Sequence, residues 1–377
     1  MASIYVTMYH SASPSDADNP ALAPRRDARH GAAMKHNASP SARNNAALLR
    51  WLQLLAASII AMVVVGGITR LTESGLSITH WSPISGIVPP LGTAQWQAEF
   101  AHYRQIDQYA AVHSGMTLAQ FKGIFLWEYT HRLLGRLVGL LALLPLVWFA
   151  LRGAIAHRLG WRLAALPLLI GVQGVLGWLM VASGLKPGMV EVAPPWLAAH
   201  LLTALFTLGW TVWQAAEIAA LRRDPDTPPA RLTATGAITG ALLAVQLGYG
   251  ALMAGLRAGR VTDQWPLMNG AFFPGVSEHG ESLGHALFAD PGIVHFIHRW
   301  FAWVVVAALV VMARRLRRKG LRGASIAVHA AFGTQILLGI ATVMSGVALP
   351  LAVLHQFVGA LLVVATAWGA QGLGRAR

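Results

Sequence analysis

Residues 125–150 read FLWEYTHRLLGRLVGLLALLPLVWFA, an apolar stretch long enough to cross a lipid bilayer as a single helix. Across the 377 residues only 12% are charged and 55% are hydrophobic, which excludes an ordinary soluble domain. Lipid offers the backbone no hydrogen-bond partner, so each such stretch is expected to be helical. The sequence predicts an all-α polytopic membrane protein with eight transmembrane helices. The other seven stretches lie at about 47–69, 163–184, 195–220, 232–255, 291–313, 324–345 and 349–370.

Basic residues lie mainly on one side of the predicted membrane. They precede the first apolar stretch and follow the second, fourth and sixth. The positive-inside rule therefore places both termini in the cytoplasm. The formal net charge of +14 is then a signal of topology and of contact with the lipid bilayer, and no nucleic acid is expected as a partner. The basic residues after the three even-numbered stretches include Arg152, Arg158, Arg222, Arg223, Arg314, Arg315, Arg317 and Arg318.

Three regions follow along the chain. Residues 1–46 are rich in Ala, Ser, Asn, Pro and Asp and are predicted to be a disordered cytoplasmic tail. Residues 47–222 and 223–377 each hold four apolar stretches and are predicted to form two four-helix bundles. The first bundle has a long outer loop, 70–122, in which aromatic residues at helical spacing predict a short amphipathic helix. Those aromatic residues are Trp96, Phe100 and Tyr103.

The two bundles repeat each other in sequence. EYTHR at 128–132 aligns with HFIHR at 295–299. Each half has an even number of spans, so the second copy enters the membrane in the same orientation as the first. This arrangement predicts a parallel pseudo-two-fold axis along the membrane normal. Glycines such as Gly171, Gly174 and Gly177 are interpreted as positions of close helix packing. Further matched pairs are Gly66 with Gly250, Gln173 with Gln335, Gly177 with Gly339, and His200 with His355.

Four histidines occupy similar depths in the even-numbered stretches: His131, His200, His298 and His355. At about 1.5 Å per residue they lie on the order of 8–12 Å below the outer boundary. A histidine in hydrocarbon is a candidate functional residue, and two imidazoles at one height suit the axial positions of haem iron. The sequence predicts one metal-binding pair in each half. Hydrogen bonding to backbone carbonyls and zinc binding are the alternatives, and zinc is disfavoured because nearby carboxylate and thiolate pairs are lacking.

The two halves differ next to these histidines. Glu128 lies one helical turn before His131, whereas the matching residue of the second half is His295. A carboxyl group in apolar surroundings suits proton transfer, so Glu128 is predicted to serve chemistry unless it only caps its helix. Arg132 and Arg299 each follow a histidine and are predicted to pair with haem propionates, with snorkelling to lipid headgroups as the alternative.

Several sequence runs resemble the haem A synthases. GGITRLT at 66–72 and WSPISG at 81–86 are similar to that family's first span and outer loop. EYTHR at 128–132, QWPLMNG at 264–270 and HFIHRW at 295–300 are similar to its later motifs. The resemblance runs from about residue 47 to residue 370. The sequence has no cysteine and is most similar to the cysteine-free branch found in proteobacteria and mitochondria.

The resemblance implies an oxidoreductase of the bacterial inner membrane that oxidises a porphyrin methyl group of haem O, giving the formyl group of haem A for cytochrome oxidase. It implies that His131 and His200 flank the substrate haem, that His298 and His355 ligate haem b, and that Glu128 serves the chemistry. Both haem sites would lie toward the periplasm. The implied partners are haem O, a farnesyltransferase acting as haem O synthase and an electron acceptor in the membrane, and a homo-oligomer is left open.

Two other classes of protein fit part of the pattern. The first is a b-type membrane cytochrome with two bis-histidine haems that acts only in electron transfer. Such carriers place haems near both membrane faces, whereas these four histidines share one. The second is a transporter or haem-handling protein without redox chemistry. It fits the parallel repeat but gives Glu128 no role.

Overall fold

The computed structural model describes residues 40–82, 85–273 and 282–375. Within these ranges the chain is helical apart from turns, loops and a single isolated bridge between Met268 and Ala271. Most of the predicted tail, residues 1–39, lies outside the described residues. The first helix already begins at Pro40, so the last residues assigned to that tail are helical.

Eight helices in the described ranges are long and apolar enough to cross a membrane, as predicted: α1, α4, α5, α6, α7, α9, α10 and α11. Two short helices, α2 and α3, lie in the first long loop, and α8 lies in the loop before α9. The bounds are α1 Pro40–Leu71, α2 Thr93–Tyr103, α3 Asp107–Val112, α4 Leu118–Leu151, α5 Gly160–Gly184, α6 Pro194–Arg223, α7 Ala234–Gly255, α8 Leu283–Ala289, α9 Pro291–Arg318, α10 Arg322–Met344 and α11 Leu349–Arg375.

Local capping explains where two of the four histidine-bearing helices begin. Thr117 accepts a hydrogen bond from the backbone N–H of Gln120, and the Gln120 side chain accepts one from the backbone N–H of Thr117. This capping box starts α4 at Leu118, about two turns before the predicted start at 125. α9 begins at Pro291 directly after Asp290, whose carboxylate accepts from the N–H of Ile293. Proline suits the first helical position because no N–H is needed there.

The spanning helices pack in the same cyclic order in each half. In the first half α1 contacts α4, α4 contacts α5, α5 contacts α6, and α6 returns to α1. In the second half α7, α9, α10 and α11 make the corresponding four contacts. The halves meet where α6 packs on α7 and α11, and where α1 packs on α11. The pseudo-two-fold axis itself stays a prediction.

The predicted amphipathic helix in the first long loop is confirmed as α2. Its aromatic face packs against the extended beginning of α4, where the Phe100 ring stacks on Phe121 with centroids 5.0 Å apart. Tyr103 and Phe121 are fully buried in this contact. The aromatic residues therefore join the loop to α4 at one end of the bundle. This end, called the long-loop end below, carries residues 72–82, 85–117, 256–273 and 282–290.

Candidate active site

The second pair of histidines lies in one cavity. His298 on α9 and His355 on α11 both line an interhelical space of about 320 Å³. Its wall is mainly apolar, and Arg299 and Trp265 lie at its long-loop end. An apolar cavity with a few convergent polar groups is the usual form of a cofactor site.

Two glutamine side chains hold this second pair of histidines. Gln246 Nε2 donates to the backbone carbonyl of His298 at 2.9 Å and lies 3.2 Å from its Nδ1. Gln335 Nε2 lies 3.3 Å from His355 Nε2. The Nδ1 atom of His355 is buried without a hydrogen-bond partner. A buried ring nitrogen without a partner is unusual, and axial coordination by one nitrogen leaves the other to a hydrogen bond.

The first pair of histidines lies between α4 and α6. His131 lies on α4 and His200 on α6. Gln173 Nε2 donates to the backbone carbonyl of His200 at 2.8 Å, and Nδ1 of His200 is buried without a partner. Among the described residues none hydrogen-bonds the His131 ring. The first pair therefore has fewer hydrogen bonds than the second. When Gly66 is aligned with Gly250, Met62 takes the position of Gln246, so the first half has no glutamine at that position.

Each of the four imidazoles packs on a glycine of a neighbouring odd-numbered span. A Cβ added to Gly177 would lie 2.9 Å from Cε1 of His200, and one added to Gly339 would lie 3.0 Å from Cε1 of His355. A Cβ added to Gly66 would lie 3.3 Å from Cε1 of His131, and one added to Gly250 would lie 3.1 Å from Cε1 of His298. Any larger residue would push the ring away. These glycines pair in the sequence repeat, yet their role as histidine neighbours was not predicted.

Glu128 is buried and fully hydrogen-bonded, with 3% of its surface exposed. Its Oε2 accepts from Ser77 Oγ at 2.7 Å and from the N–H of Ile78 at 2.8 Å. Its Oε1 accepts from Arg132 Nη2 at 2.6 Å and from Arg132 Nε at 3.0 Å. The carboxylate therefore joins the first long loop to α4, one turn from His131.

Arg132 and Arg299 play matching parts in the two halves. Arg132 also donates to the carbonyls of Ile78, at 2.8 Å, and His80, at 3.2 Å. Arg299 contacts His295 Nε2 at 3.0 Å, as Arg132 contacts Glu128. It also donates to three loop carbonyls, those of Gln264, Pro266 and Leu267. Both guanidinium groups thus hold loops over the histidines. Arg299 Nε is buried without a partner, and the propionate contacts stay predictions.

A second cavity, of about 370 Å³, lies between the first long loop and α4. Its lining includes Tyr129, Arg132, His80 and Glu99. Tyr129 donates from its hydroxyl group to the carbonyl of Ile87 at 2.5 Å. The corresponding Phe296 instead packs edge-on against Phe272 and Phe273. The difference between Tyr129 and Phe296 therefore changes how each loop is attached.

The first long loop has a polar pair of its own outside the membrane-spanning helices, formed by the buried Tyr103 and the half-buried His113. Tyr103 Oη lies 2.5 Å from His113 Nδ1 and donates to Gln108 Oε1 at 3.0 Å. Burial raises the pKa of Tyr103 and lowers the pKa of His113. Both groups are therefore neutral near pH 7, and the loop is held by hydrogen bonds at this point.

An ionic cluster that was not predicted from the sequence lies between the halves. Arg70 Nη2 donates to Glu191 Oε2 at 2.6 Å and to the carbonyl of Ala254 at 2.9 Å. Arg257 pairs with Glu73 at 2.9 Å and also with Glu191. Arg70, Glu73 and Arg257 line the end of the cavity that holds His298 and His355. Mixed charges in the loops were the only sign of this cluster, and charge alone does not tell which residues meet.

Comparison with known proteins assigns the chain to a family. Residues 49–367 match the family model COX15-CtaA, described as cytochrome oxidase assembly protein. The chain is 50% identical over 346 residues to heme A synthase of Sphingopyxis alaskensis, covering 92% of this chain and 97% of that protein. It is 52% identical over 354 residues to heme A synthase of Novosphingobium aromaticivorans, covering 91% and 100% respectively. A match of this length and identity means that the chain belongs to the haem A synthase family of cytochrome oxidase assembly proteins.

Proposed function

We propose that this protein is a membrane haem A synthase that oxidises the porphyrin methyl group of haem O to the formyl group of haem A. The observation that carries the proposal is the presence of two histidine pairs in a chain half identical to heme A synthases over nearly its whole length. The oxidation proceeds by successive hydroxylation of the methyl group, and the product serves cytochrome oxidase biogenesis.

The second half is proposed to hold haem b permanently. The donor set fits, because both imidazoles line one cavity and His355 keeps an unpartnered ring nitrogen. His298 and His355 would hold the haem, and the unpartnered Nε of Arg299 would bind a propionate. Bound haem b would supply one-electron redox chemistry between the substrate site and an electron acceptor in the membrane. Gln246 and Gln335 orient the two rings.

The first half is proposed to take haem O as substrate, between His131 and His200. A substrate must enter and leave, and this pair has fewer hydrogen bonds than the second. Glu128 is the proposed proton-handling group because it is the carboxylate nearest to His131 along α4. Its ion pair with Arg132 fixes its position beside the first long loop. Arg132 is proposed to meet a propionate of the substrate at the wall of the loop cavity.

The remaining proposals concern location and partners. The arginine-rich connections favour cytoplasmic termini, so both histidine pairs would lie toward the periplasmic side of the inner membrane. A farnesyltransferase that makes haem O is the proposed donor of substrate. Self-association into a homo-oligomer is compatible with the many exposed apolar side chains on the spanning helices.

Haem analysis tests the proposed function. The protein is expressed in a bacterium that makes haem O but no haem A, and haems are extracted from membranes and from purified protein for chromatography. We expect haem A in the membranes and haem b with some haem O or haem A in the protein. Haem b alone, with no haem A formed, would favour the electron-transfer cytochrome. The matched control is His131→Ala, which removes one proposed substrate ligand.

A further inference from the structure

A group of three metal-ligating side chains lies in the first long loop and includes none of the four histidines of the spanning helices. It consists of His80, before α2, and of Glu99 and His102 on α2. The three ligand atoms, one from each residue, all lie within 4.8 Å of one another. His80 Nε2 is already 3.6 Å from Glu99 Oε1. Tetrahedral zinc with bonds of about 2.0–2.1 Å needs donors roughly 3.3 Å apart, so small rotations of side chains would complete the site.

The local structure favours convergence of these donors. Glu99 and His102 are three residues apart on one helix, so their side chains share a face. The His80 and His102 rings are 6.1 Å apart by centroid and nearly perpendicular. Glu99 Oε2 is buried and has no hydrogen-bond partner among the described residues. A buried carboxylate oxygen without a partner is costly, and a cation held by both histidines would remove that cost.

We propose that His80, Glu99 and His102 form a binding site for a divalent zinc-like cation. Two imidazole nitrogens and one carboxylate oxygen are a ligand set that zinc accepts, with its fourth position open to water. Both histidines are exposed, so the ion can enter from solvent. The site differs from the proposed haem sites in its residues, in its carboxylate ligand and in lying outside the spanning helices.

The position of the site gives the ion a structural effect. His80 and Glu99 line the loop cavity beside Arg132, and the backbone carbonyl of His80 accepts a hydrogen bond from Arg132. A bound ion would tie this loop segment to α2, which is itself packed on α4. Zinc would therefore stabilise the wall of the loop cavity and the surroundings of Glu128. This inference does not depend on the proposed reaction, because ion binding is measured directly.

Zinc titration of the purified protein tests the site. The full chain is purified in detergent through an affinity tag without histidine, freed of metal with a chelator, and titrated with Zn²⁺ in a calorimeter. We expect one tight equivalent of Zn²⁺ and a rise in melting temperature. Glu99→Gln, His80→Ala and His102→Ala should each weaken that equivalent by at least about 100-fold, since losing even an outer partner of a zinc ligand costs 10–100-fold. In these three variants Zn²⁺ should no longer raise the melting temperature.

The matched control is His285→Ala, which removes another histidine of the long-loop end, on α8. This variant should bind Zn²⁺ as the wild type does. The proposal is overturned if the wild type binds no tight equivalent of Zn²⁺, or if Glu99→Gln and His102→Ala bind it unchanged. Glu99→Gln keeps the size of the side chain, so its titration remains informative even if an alanine variant fails to fold. None of these results bears on haem A formation, so the two proposals fail separately.

Discussion

At the scale of single residues, Glu128 marks the difference between the two halves. It holds the first long loop through Ser77 and Ile78, and it lies one turn from a proposed substrate ligand. In the second half His295 occupies the matching position and contacts Arg299 in the same way. The loop attachment is therefore common to both halves, whereas the carboxylate belongs only to the first.

Replacing Glu128 separates chemistry from cofactor binding. Glu128→Ala is expected to abolish haem A formation and to leave haem b bound, because the second histidine pair is far along the chain and keeps its glutamines. Haem A yield in membranes and the haem b spectrum of the purified variant are the two measurements. Normal haem A yield would remove Glu128 from the mechanism.

A neighbouring substitution controls for the loop. Ser77→Ala removes one donor to Glu128 but keeps the carboxylate and its ion pair with Arg132. Loss of that donor costs about 1–3 kcal/mol, so the melting temperature should fall while haem A is still formed. Equal loss of haem A in Ser77→Ala and Glu128→Ala would mean that loop attachment, and not the carboxylate, supports the reaction.

At the scale of helices, contacts between helices set the positions of the imidazoles. Gly171, Gly174 and Gly177 follow each other at helical spacing on α5, and spacing alone predicts the same role for all three. Only Gly177 touches a histidine, and a Cβ on Gly171 or Gly174 would meet nothing within 4 Å. The sequence shows which residues share a face of a helix. Which of them meets the partner depends on how the neighbouring helix is placed, and that is a property of the packed bundle.

Adding one methyl group to α10 tests this contact. Gly339→Ala would place a Cβ 3.0 Å from Cε1 of His355, so the ring must shift by a few tenths of an ångström, which disturbs its alignment as a haem ligand. We expect a clear loss of low-spin haem b absorbance per protein. Gly333→Ala on the same helix, where a Cβ would meet nothing within 4 Å, is the matched control and should keep full absorbance. Equal haem b content in both variants would contradict the positioning role of Gly339.

At the scale of the whole molecule, the eight spans and their order followed from hydropathy because a bilayer leaves few other solutions. The start of α4 at Leu118 and the ionic cluster of Arg70, Glu191 and Arg257 did not follow. The first depends on a polar capping box before the apolar stretch. The second joins residues far apart in sequence whose meeting depends on tertiary packing. His298 and His355 line one cavity, as expected from their matching positions in even-numbered spans, and their role as haem ligands stays a prediction.

The absence of cysteine makes the predicted orientation directly testable. Gly92→Cys lies at the long-loop end, and Asp226→Cys lies in the connection after α6 at the opposite end; both positions are exposed. A membrane-impermeant maleimide should label Gly92→Cys in intact spheroplasts and should label Asp226→Cys only after the membrane is opened. The reverse pattern of labelling would invert the topology and move the histidine pairs to the cytoplasmic side.

The two histidine pairs are proposed to bind different haems, one as cofactor and one as substrate. The most direct measurement is the amount of haem b per protein in two matched variants, His355→Ala and His200→Ala, each lacking one imidazole at corresponding positions of the repeat. We predict that His355→Ala loses haem b, whereas His200→Ala keeps it and fails to form haem A. Retention of low-spin haem b in His355→Ala, or its loss in His200→Ala alone, would contradict the assignment.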